Sequence, residues 1–380
     1  MIFPNIAASL SRIFYGWRMI GLVSAIRVVG GGIHQYGFTV FFLPISQDLG
    51  MSRAATSLAF SLARAQGAIE APLVGYLIDR FGPRPIIVTA AFLAGAGYIL
   101  LSWVDSYASF LVVYLAVISL AFIAGFVHSP MVIANSWFIR QRARAMTVVS
   151  AAVPVGGAIL SPLLAVGVQS LGWRWAAFFS GCLFLAVCLP LSFQVRRSPE
   201  SMGLLPDGEA PRARDSDAHS MNNIASEPRE RDLPAAQAMK TAIFWLLVVS
   251  MTARVAAYST VSVHFVPVMV WQGLAQEEAA FMLGAFAFTT LLDASFPIVW
   301  ATVGDFYGRK YFATIRGMLS FFYMWGSVAG PVLAGAMYDR SQSYRGVMWI
   351  FFFILALATL LNALLIKPWR RCATAAQLNN

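Results

Sequence analysis

The chain has 380 residues, of which 59% are hydrophobic and only 12% are charged. About a quarter of the residues of a soluble domain are charged, so this composition excludes an ordinary soluble protein and predicts one that lies largely in a membrane. The formal net charge of +10 would suit nucleic-acid binding, but the basic residues are placed as in a membrane protein, and we expect no nucleic-acid partner.

Ten apolar segments are long enough to cross a bilayer. A crossing helix needs roughly 20 apolar residues, and backbone groups in hydrocarbon must satisfy one another, so these segments must be helices. The predicted fold class is therefore an all-α membrane protein. The predicted spans are 18–43, 54–78, 85–103, 107–138, 145–169, 175–195, 241–270, 280–303, 314–337 and 346–366.

The basic residues predict how these helices are oriented. With the N-terminus inside the cell, most of the 27 Lys and Arg residues fall in cytoplasmic segments. This is the positive-inside bias, and it predicts a multi-pass protein of the cell (inner) membrane with both termini in the cytoplasm. The exceptions are Arg53, Arg174, Arg340 and Arg345 in outer loops and Arg27, Arg64 and Arg254 inside helices.

Several chemical functions find no signal in the sequence. The three cysteines suggest neither a disulfide framework nor a metal cluster. We find no phosphate-binding loop of the G-x-x-x-x-G-K-[ST] type, and the loops carry no clustered catalytic carboxylates. We therefore expect a protein that is not an enzyme and uses no cofactor and no metal.

One polar segment divides the chain. Residues 196–240 are rich in Arg, Asp, Glu, Pro and Ser and have no apolar periodicity. The predicted domains are a six-helix bundle at 1–195, a cytoplasmic linker at 196–240 and a shortened helix bundle at 241–380.

The two bundles carry an internal repeat. Two parallel halves with the substrate between them are typical of secondary transporters. The shifts of 169 and 223 residues that align the halves differ by 54 residues, about one helical hairpin, so the second half is predicted to lack one hairpin and to hold four helices. The first shift pairs Arg140 with Arg309, Gly157 with Gly326, Pro162 with Pro331 and Phe184 with Phe353, and the second pairs Phe42 with Phe265, Pro44 with Pro267 and Gly50 with Gly273.

The loop between predicted helices 2 and 3 reads Gly75-Tyr-Leu-Ile-Asp79-Arg80-Phe-Gly82-Pro-Arg84. Gly75 permits close helix packing, and Gly82 permits a tight turn. Asp79 can accept hydrogen bonds from a helix N-terminus in the other half, while Arg80 and Arg84 hold the loop in the cytoplasm. The loop resembles the G-x-x-x-D-R-x-G-x-R signature of the major facilitator superfamily. The alternative is a basic turn whose only role is to set the orientation of the helices in the membrane.

Further segments resemble the oxalate/formate antiporter and monocarboxylate transporter branch of that superfamily. The resemblance implies the major facilitator fold, here with about ten helices arranged as six plus four, and a preference for organic anions. We expect the cytoplasmic gate to include Arg140 together with the signature-loop residues Gly75, Asp79, Arg80, Gly82 and Arg84. The 169-residue shift assigns residues 304–310 to the turn after helix 4, so the second copy of the signature loop is predicted to be lost with the hairpin. The segments are Tyr15–Trp17, Leu49–Ala55, Trp137–Ala145, Leu171–Trp175, Pro199–Gly208 and Asp305–Gly317.

Ionisable residues within the membrane are functional candidates, because each costs roughly 2.5–3.5 kcal/mol even on the lenient insertion scale. Three Arg against two carboxylates leave the predicted interior net positive, which favours an anion, and Arg offers a planar fork for carboxylate or phosphate. Pairing of these Arg residues with the carboxylates is the structural alternative. The candidates are Arg27, Arg64, Arg254, Glu70, Asp293, His34 and His128, with Tyr258 one turn beyond Arg254.

These residues predict a secondary transporter of a small organic anion, a mono- or dicarboxylate, that works by alternating access as a monomer in the bilayer. Arg27 and Arg254 are expected to recognise substrate charge. The other expected substrate-binding residues are His34, Tyr258 and Asp293. His34 is expected to share a helix face with Arg27, and His34, Glu70 or His128 would couple protons. The alternatives are an exporter of amphipathic or cationic compounds and a non-transporting sensor or truncated relic.

Overall fold

The computed structural model describes residues 14–51, 53–208, 232–274, 295–356 and 360. These residues form helices joined by short turns, with no strand among them. In chain order the helices are α1 (Tyr15–Gly30, continued by Gly31–Tyr36 and Phe38–Asp48), α2 (Arg53–Phe81), α3 (Pro83–Leu101), α4 (Tyr107–Trp137), α5 (Arg142–Leu171), α6 (Trp173–Gln194), α7 (Ala242–Trp271), α8 (Ser295–Tyr307), α9 (Phe312–Ser341) and α10 (Arg345–Ala356).

The described helices confirm the predicted all-α class. Six of them contain stretches long and apolar enough to cross a membrane, in α3, α4, α5, α6, α7 and α9. Each predicted span overlaps a described helix, although residues 280–294 of the eighth span and most of 357–366 of the tenth lie outside the described residues.

Close helix contacts in the first half depend on glycine. A Cβ atom on Gly156 of α5 would lie 2.0 Å from the carbonyl oxygen of Val28 in α1. A Cβ on Gly181 of α6 would lie 2.6 Å from the carbonyl oxygen of Gly95 in α3. Small residues let helix backbones approach in this way, so α1 rests on α5 and α3 rests on α6.

The second half repeats part of this arrangement. Gly157 of α5 lies against the ring of Tyr36 in α1, and its repeat equivalent Gly326 of α9 lies against the backbone of Thr252 in α7. The paired glycines after α1 and α7 both adopt positive φ, 61° at Gly50 and 100° at Gly273. Gly157 and Gly326 thus both face the first helix of their own half, and Gly50 and Gly273 both follow that helix with a positive φ.

The two halves meet closely where α2 crosses α9. A Cβ on Gly75 would lie 2.2 Å from the carbonyl oxygen of Ala313, and a Cβ on Gly317 would lie 2.2 Å from the carbonyl oxygen of Ala71. We call the end of the molecule that carries Gly75 and the following turn the latch end. At the latch end the described halves are in direct contact.

Candidate substrate site and latch

Asp79 joins the two halves at the latch end. Its carboxylate accepts hydrogen bonds from the backbone N–H groups of Ala313 (3.2 Å) and Thr314 (2.7 Å) and from the Thr314 hydroxyl (2.6 Å). These donors belong to the first turn of α9, where the helix dipole favours a negative charge. This is the contact that the signature loop led us to expect, while its role in gating stays a prediction.

Burial changes the acidity of this carboxyl group, which lies just beyond the predicted span 54–78. Loss of solvent raises the pKa of Asp79 to about 6, against the opposing effect of the hydrogen bonds from Thr314 and Ala313 and of the Arg197 charge. Asp79 therefore titrates closer to neutral pH than an exposed aspartate does.

The other signature residues have separate local roles. Gly82 adopts φ 88°, a conformation that glycine enters without strain, and it ends α2 in a tight turn. Arg80 donates to the Tyr76 hydroxyl at 3.0 Å and remains exposed, as does Arg84. Asp79 and Gly75 of this loop both contact α9 of the other half.

A second acidic contact lies at the same end, and sequence reasoning did not foresee it. Asp305, in the last turns of α8, forms a salt bridge with Arg142, the buried first residue of α5. Gly304 lies directly against Asn135 and Arg142, since a Cβ there would be 2.1 Å from the Asn135 Oδ1 atom. The sequence register placed residues 304–310 outside the signature pattern. Asp305 nevertheless meets the start of α5 through the Arg142 side chain, whereas Asp79 meets the start of α9 through backbone N–H groups.

Arg309 adds a third link between the halves. Its Nη1 atom donates to the carbonyl oxygen of Ser136 (3.0 Å) and to the Glu200 carboxylate (2.8 Å). Glu200 lies at the start of the linker that follows the first half. Arg309, a residue of the second half, is therefore held both by the first half and by the linker.

Two aspartates fix the ends of the linker to equivalent turns. The Asp207 carboxylate accepts from the backbone N–H groups of residues 139–141 at 2.8–3.3 Å. Asp232 accepts from the backbone N–H groups of Arg309 (3.1 Å) and Lys310 (3.0 Å). The first of these turns includes Arg140, and the second includes its repeat equivalent, Arg309. One end of the linker is therefore anchored to this turn in the first half, and the other end to the corresponding turn in the second half. Arg140 itself has an exposed side chain.

Arg27 is buried in the middle of α1. Its side chain is 6% exposed, and its Nε and Nη1 atoms have no hydrogen-bond partner. A buried guanidinium without a carboxylate is costly, so among the described groups Arg27 is the cation most in need of an anion.

Arg316 is a buried cation that the sequence interpretation missed. The predicted span began at residue 314, which left Arg316 at a membrane boundary and out of the interior charge count. In the structure α9 begins at Phe312, and the Arg316 side chain is 1% exposed. Its Nη1 atom donates to the carbonyl oxygen of Val127 in α4 (3.1 Å), and its guanidinium lies 4.6 Å from the ring centre of Trp300 in α8.

His128 lies beside this arginine. It follows Val127 in α4, is 2% exposed, and has no partner for its Nδ1 atom. Because Arg316 donates to the carbonyl oxygen of Val127, the residue before His128, a buried cation and a buried imidazole lie together where α9 meets α4.

His34 lies in the π-helical segment Gly31–Tyr36, which follows the α-helical segment that carries Arg27. Its expected alignment with Arg27 stays a prediction. The His34 ring lies 4.3 Å from the ring of Phe122, and its Nδ1 atom is 3.1 Å from the Tyr98 hydroxyl. This is the geometry of a hydrogen-bonded packing residue inside the first half.

Glu70 and Arg64 do not pair in the described structure. The Glu70 carboxylate accepts from Gln66, which also donates to the carbonyl oxygen of Leu115 at 3.0 Å. The Arg64 side chain is exposed, near Tyr114. The structural pairing that we considered for these two residues is therefore replaced by a Gln66 contact, and Arg64 does not belong to a buried interior.

Arg254 lies in the second half, on α7. Its guanidinium is 5.5 Å from the ring centre of Phe296 in α8. Tyr258, one turn further on, is 43% exposed. Asp293 lies outside the described residues, so its expected proximity to Arg254 stays a prediction. No group of three metal-ligating side chains comes together in the part of the chain that the structure describes.

Comparison with known sequences and folds gives a consistent result. Residues 29–316 match the Major Facilitator Superfamily. The chain is 26% identical over 194 residues to the oxalate:formate antiporter of Oxalobacter formigenes, covering 51% of this chain and 46% of the relative. It is 23% identical over 230 residues to the glycerol-3-phosphate transporter of Bacillus subtilis (60% and 49%) and 30% identical over 178 residues to monocarboxylate transporter 3 of Rattus norvegicus (46% and 35%).

Solved structures share the fold. The transporter FucP, crystallised in the outward conformation, aligns with a TM-score of 0.62 at 14% identity, covering 90% of this chain and 97% of that one. The human organic anion transporter MFSD10 aligns with a TM-score of 0.57, covering 92% and 100%. The matched segments span about half or less of the length of the curated relatives, but the family match covers most of this chain. The chain belongs to the major facilitator superfamily, a family of multi-pass membrane transporters.

Proposed function

We propose that this protein carries a small organic anion across the cell (inner) membrane by alternating access. The observation that carries the proposal is Arg27, whose guanidinium is buried within α1 with two nitrogen atoms lacking a partner. A buried cationic site of this kind, shielded from water, strongly favours the binding of an anion. The relatives support an anionic substrate, since their names refer to oxalate and formate, monocarboxylates and glycerol 3-phosphate.

The contacts between the halves suggest how access would alternate. In the conformation described, Asp79 and Asp305 tie α2 to α9 and α8 to α5 at the latch end. With both termini in the cytoplasm, the latch end would face the cytoplasm and be closed here, leaving the substrate to enter from the opposite side. Breaking the two acidic contacts would open it. Arg254, with Tyr258, would contribute the second half's share of substrate recognition.

Uptake into proteoliposomes tests this function. Purified protein is reconstituted as the natural sequence, as Arg27→Gln and as Arg64→Gln, and uptake of labelled oxalate, formate, lactate and pyruvate is followed. We expect saturable uptake of at least one anion, lost in Arg27→Gln and kept in Arg64→Gln, because the Arg64 side chain is exposed. A monodisperse protein that takes up none of these anions would count against the proposal and favour a sensor that binds without transport.

A second candidate is export of cationic or amphipathic compounds. The observation in its favour is the Oε2 atom of Glu70, which is buried and without a partner. In that case Glu70 and Asp293 would bind the substrate. Uptake of a labelled quaternary ammonium compound that is lost in Asp293→Asn would select this function.

A further inference from the structure

We propose that a cavity at the latch end is a regulatory site that binds a phosphate monoester and thereby holds the two halves closed. The described lining of this cavity does not include Arg27, on which the proposed function rests. The inference therefore goes beyond the proposed function and does not depend on which substrate is carried.

The first argument is the size and composition of the cavity. Its volume is about 440 Å³, within the range of roughly 300–1,000 Å³ that is typical of ligand pockets. Tyr76 and Arg80 in its wall belong to α2 of the first half. Arg197 belongs to the start of the linker, and Lys310 belongs to the turn before α9 in the second half. A ligand in this cavity would contact both halves and the linker at once.

The second argument is charge. The ionised side chains of the lining carry a net positive charge, because four are cationic and three are acidic. The acidic ones are already engaged. Glu200 binds the Arg309 guanidinium at 2.8 Å, and the other two carboxylates accept from backbone N–H groups at 2.7–3.2 Å. The cations are Arg80, Arg197, Arg309 and Lys310, and the acids are Asp79, Glu200 and Asp232.

Three of the cations keep donors available. Arg197 donates to the backbone carbonyl oxygen of Asp79 at 3.1 Å. Arg80 donates to the Tyr76 hydroxyl at 3.0 Å, and the Lys310 ammonium lies 5.3 Å from the ring centre of Tyr311. Arginine has five N–H donors and lysine has three, so these contacts occupy few of them.

The available donors fit a phosphate monoester better than a carboxylate. A phosphate monoester carries a charge of about −1.5 to −2 at pH 7 and three strong acceptor oxygens, whereas a carboxylate carries one charge and two oxygens. Arginine forks and a lysine ammonium are the side chains that bind phosphate in proteins. The group could belong to a soluble metabolite or to the headgroup of phosphatidic acid, and both present the same chemistry to the cavity.

The third argument is conformational. The cavity lies where α2 meets the first turn of α9, since Asp79 and Thr314 both line it and are hydrogen-bonded to each other at 2.7 Å. Opening of the latch end would part these walls. A ligand that binds the closed state more tightly than the open state shifts the population toward the closed state, so occupancy of the cavity would oppose opening.

Calorimetry on the full-length protein in detergent tests binding. The soluble probes are AMP and adenosine, which differ by the phosphate, and the lipid probes are dioctanoyl phosphatidic acid and dioctanoyl phosphatidylcholine. We expect AMP to bind at least about tenfold more tightly than adenosine, about 1.4 kcal/mol. The double variant Arg197→Gln/Lys310→Gln should weaken AMP by at least about tenfold as well. The matched control is Lys240→Gln, an exposed lysine at the same end that does not line the cavity, and it should leave the affinity unchanged.

Lys310→Gln alone covers the case in which the double variant does not fold, and it should weaken AMP in the same direction. Binding of phosphatidic acid but not of AMP, with the same dependence on Lys310, would support the site and assign the phosphate to a lipid. Adenosine binding as tight as that of AMP, unchanged affinity in both variants, or no binding of either phosphate would overturn the inference.

Spin labels test the regulatory role. Labels at Arg84→Cys and Lys240→Cys lie in opposite halves, and neither residue lines the cavity. The phosphate probe that binds should shift their distances toward the shorter, closed population, and Lys310→Gln should require a higher probe concentration for the same shift. Unchanged distances at saturation would overturn the role in holding the latch closed.

None of these readouts involves transport, so failure of the proposed function looks different. Anion uptake that needs Arg27, without binding of either phosphate probe, would leave the proposed function and remove this site. Phosphate binding that needs Lys310, without uptake of any anion, would leave the site and remove the proposed function.

Discussion

Gly75 shows how much one carbon atom can matter at the latch end. A Cβ there would lie 2.2 Å from the carbonyl oxygen of Ala313, while a Cβ on Gly21 in α1 meets nothing within 4 Å. Overpacking of this kind costs typically about 1–3 kcal/mol. We predict that Gly75→Ala lowers the thermal unfolding temperature and separates α2 from α9.

The matched control is Gly21→Ala, which should leave the unfolding temperature unchanged or raise it slightly, since Ala is favoured over Gly within helices by about 1 kcal/mol. Thermal unfolding in detergent measures both variants. Equal unfolding temperatures for the two would show that the Gly75 contact is not tight in solution.

Single residues also show where sequence reasoning reaches its limit. The signature spacing predicted both the contact of Asp79 and the turn at Gly82, because each follows from local chemistry. The burial of Arg316 could not be predicted in the same way, since it depends on the packing of α9 against α4 and on a helix start two residues earlier than the hydropathy pattern indicated. The π-helical segment that carries His34 was not predicted either, because it leaves no clear signal in hydrophobic periodicity.

At the scale of helices, the two acidic contacts are predicted to hold the latch end closed independently. Hydrogen bonds to charged groups contribute about 1.5–3 kcal/mol each, so Asp79→Ala and Asp305→Ala should each shift the population toward an open latch end. The effects should add in the double variant, because the contacts lie on different helix pairs. Spin labels at Arg84→Cys and Lys310→Cys in a cysteine-free background report the distance.

The control for this experiment is Asp105→Ala, which alters an exposed aspartate that contacts Arg174. It should leave the spin-label distances unchanged. Longer distances in the Asp79 variant but not in the Asp305 variant would show that the second contact does not restrain the halves.

The same distances should depend on pH. In the closed latch burial raises the pKa of Asp79 to about 6, whereas in an open latch the carboxyl group is in water with a pKa of about 3.9. Because the closed state has the higher pKa, its stability relative to the open state increases as pH falls through about 6 toward 4, and this gain is lost as pH rises again. Asp79→Asn should remove this dependence, and a pH response that persists in Asp79→Asn would assign it to another group.

The linker contacts lead to a prediction of their own. Asp207 binds the backbone N–H groups of residues 139–141, and Asp232 binds those of Arg309 and Lys310. We expect Asp207→Ala to speed amide hydrogen exchange in the first turn only, and Asp232→Ala in the second turn only. Each variant is the control for the other, and faster exchange in both turns from either single change would contradict separate anchoring.

At the scale of the whole molecule, composition and hydropathy predicted the membrane class, and the internal repeat predicted two related halves. These are strong signals because each depends on many residues. The positive φ values at Gly50 and Gly273 show the same repeat at the level of single turns. Contacts between the halves were harder to predict. The salt bridge between Arg142 and Asp305 joins residues from different repeats, and no local pattern specifies such a pair.

The proposed function depends above all on Arg27 binding an anion that the protein transports. The most direct test is uptake of labelled oxalate and of a labelled quaternary ammonium compound into matched proteoliposomes, with the natural sequence, Arg27→Gln and Asp293→Asn. We predict saturable oxalate uptake that is lost in Arg27→Gln and no saturable uptake of the cation. Saturable cation uptake that survives in Arg27→Gln and disappears in Asp293→Asn would contradict it.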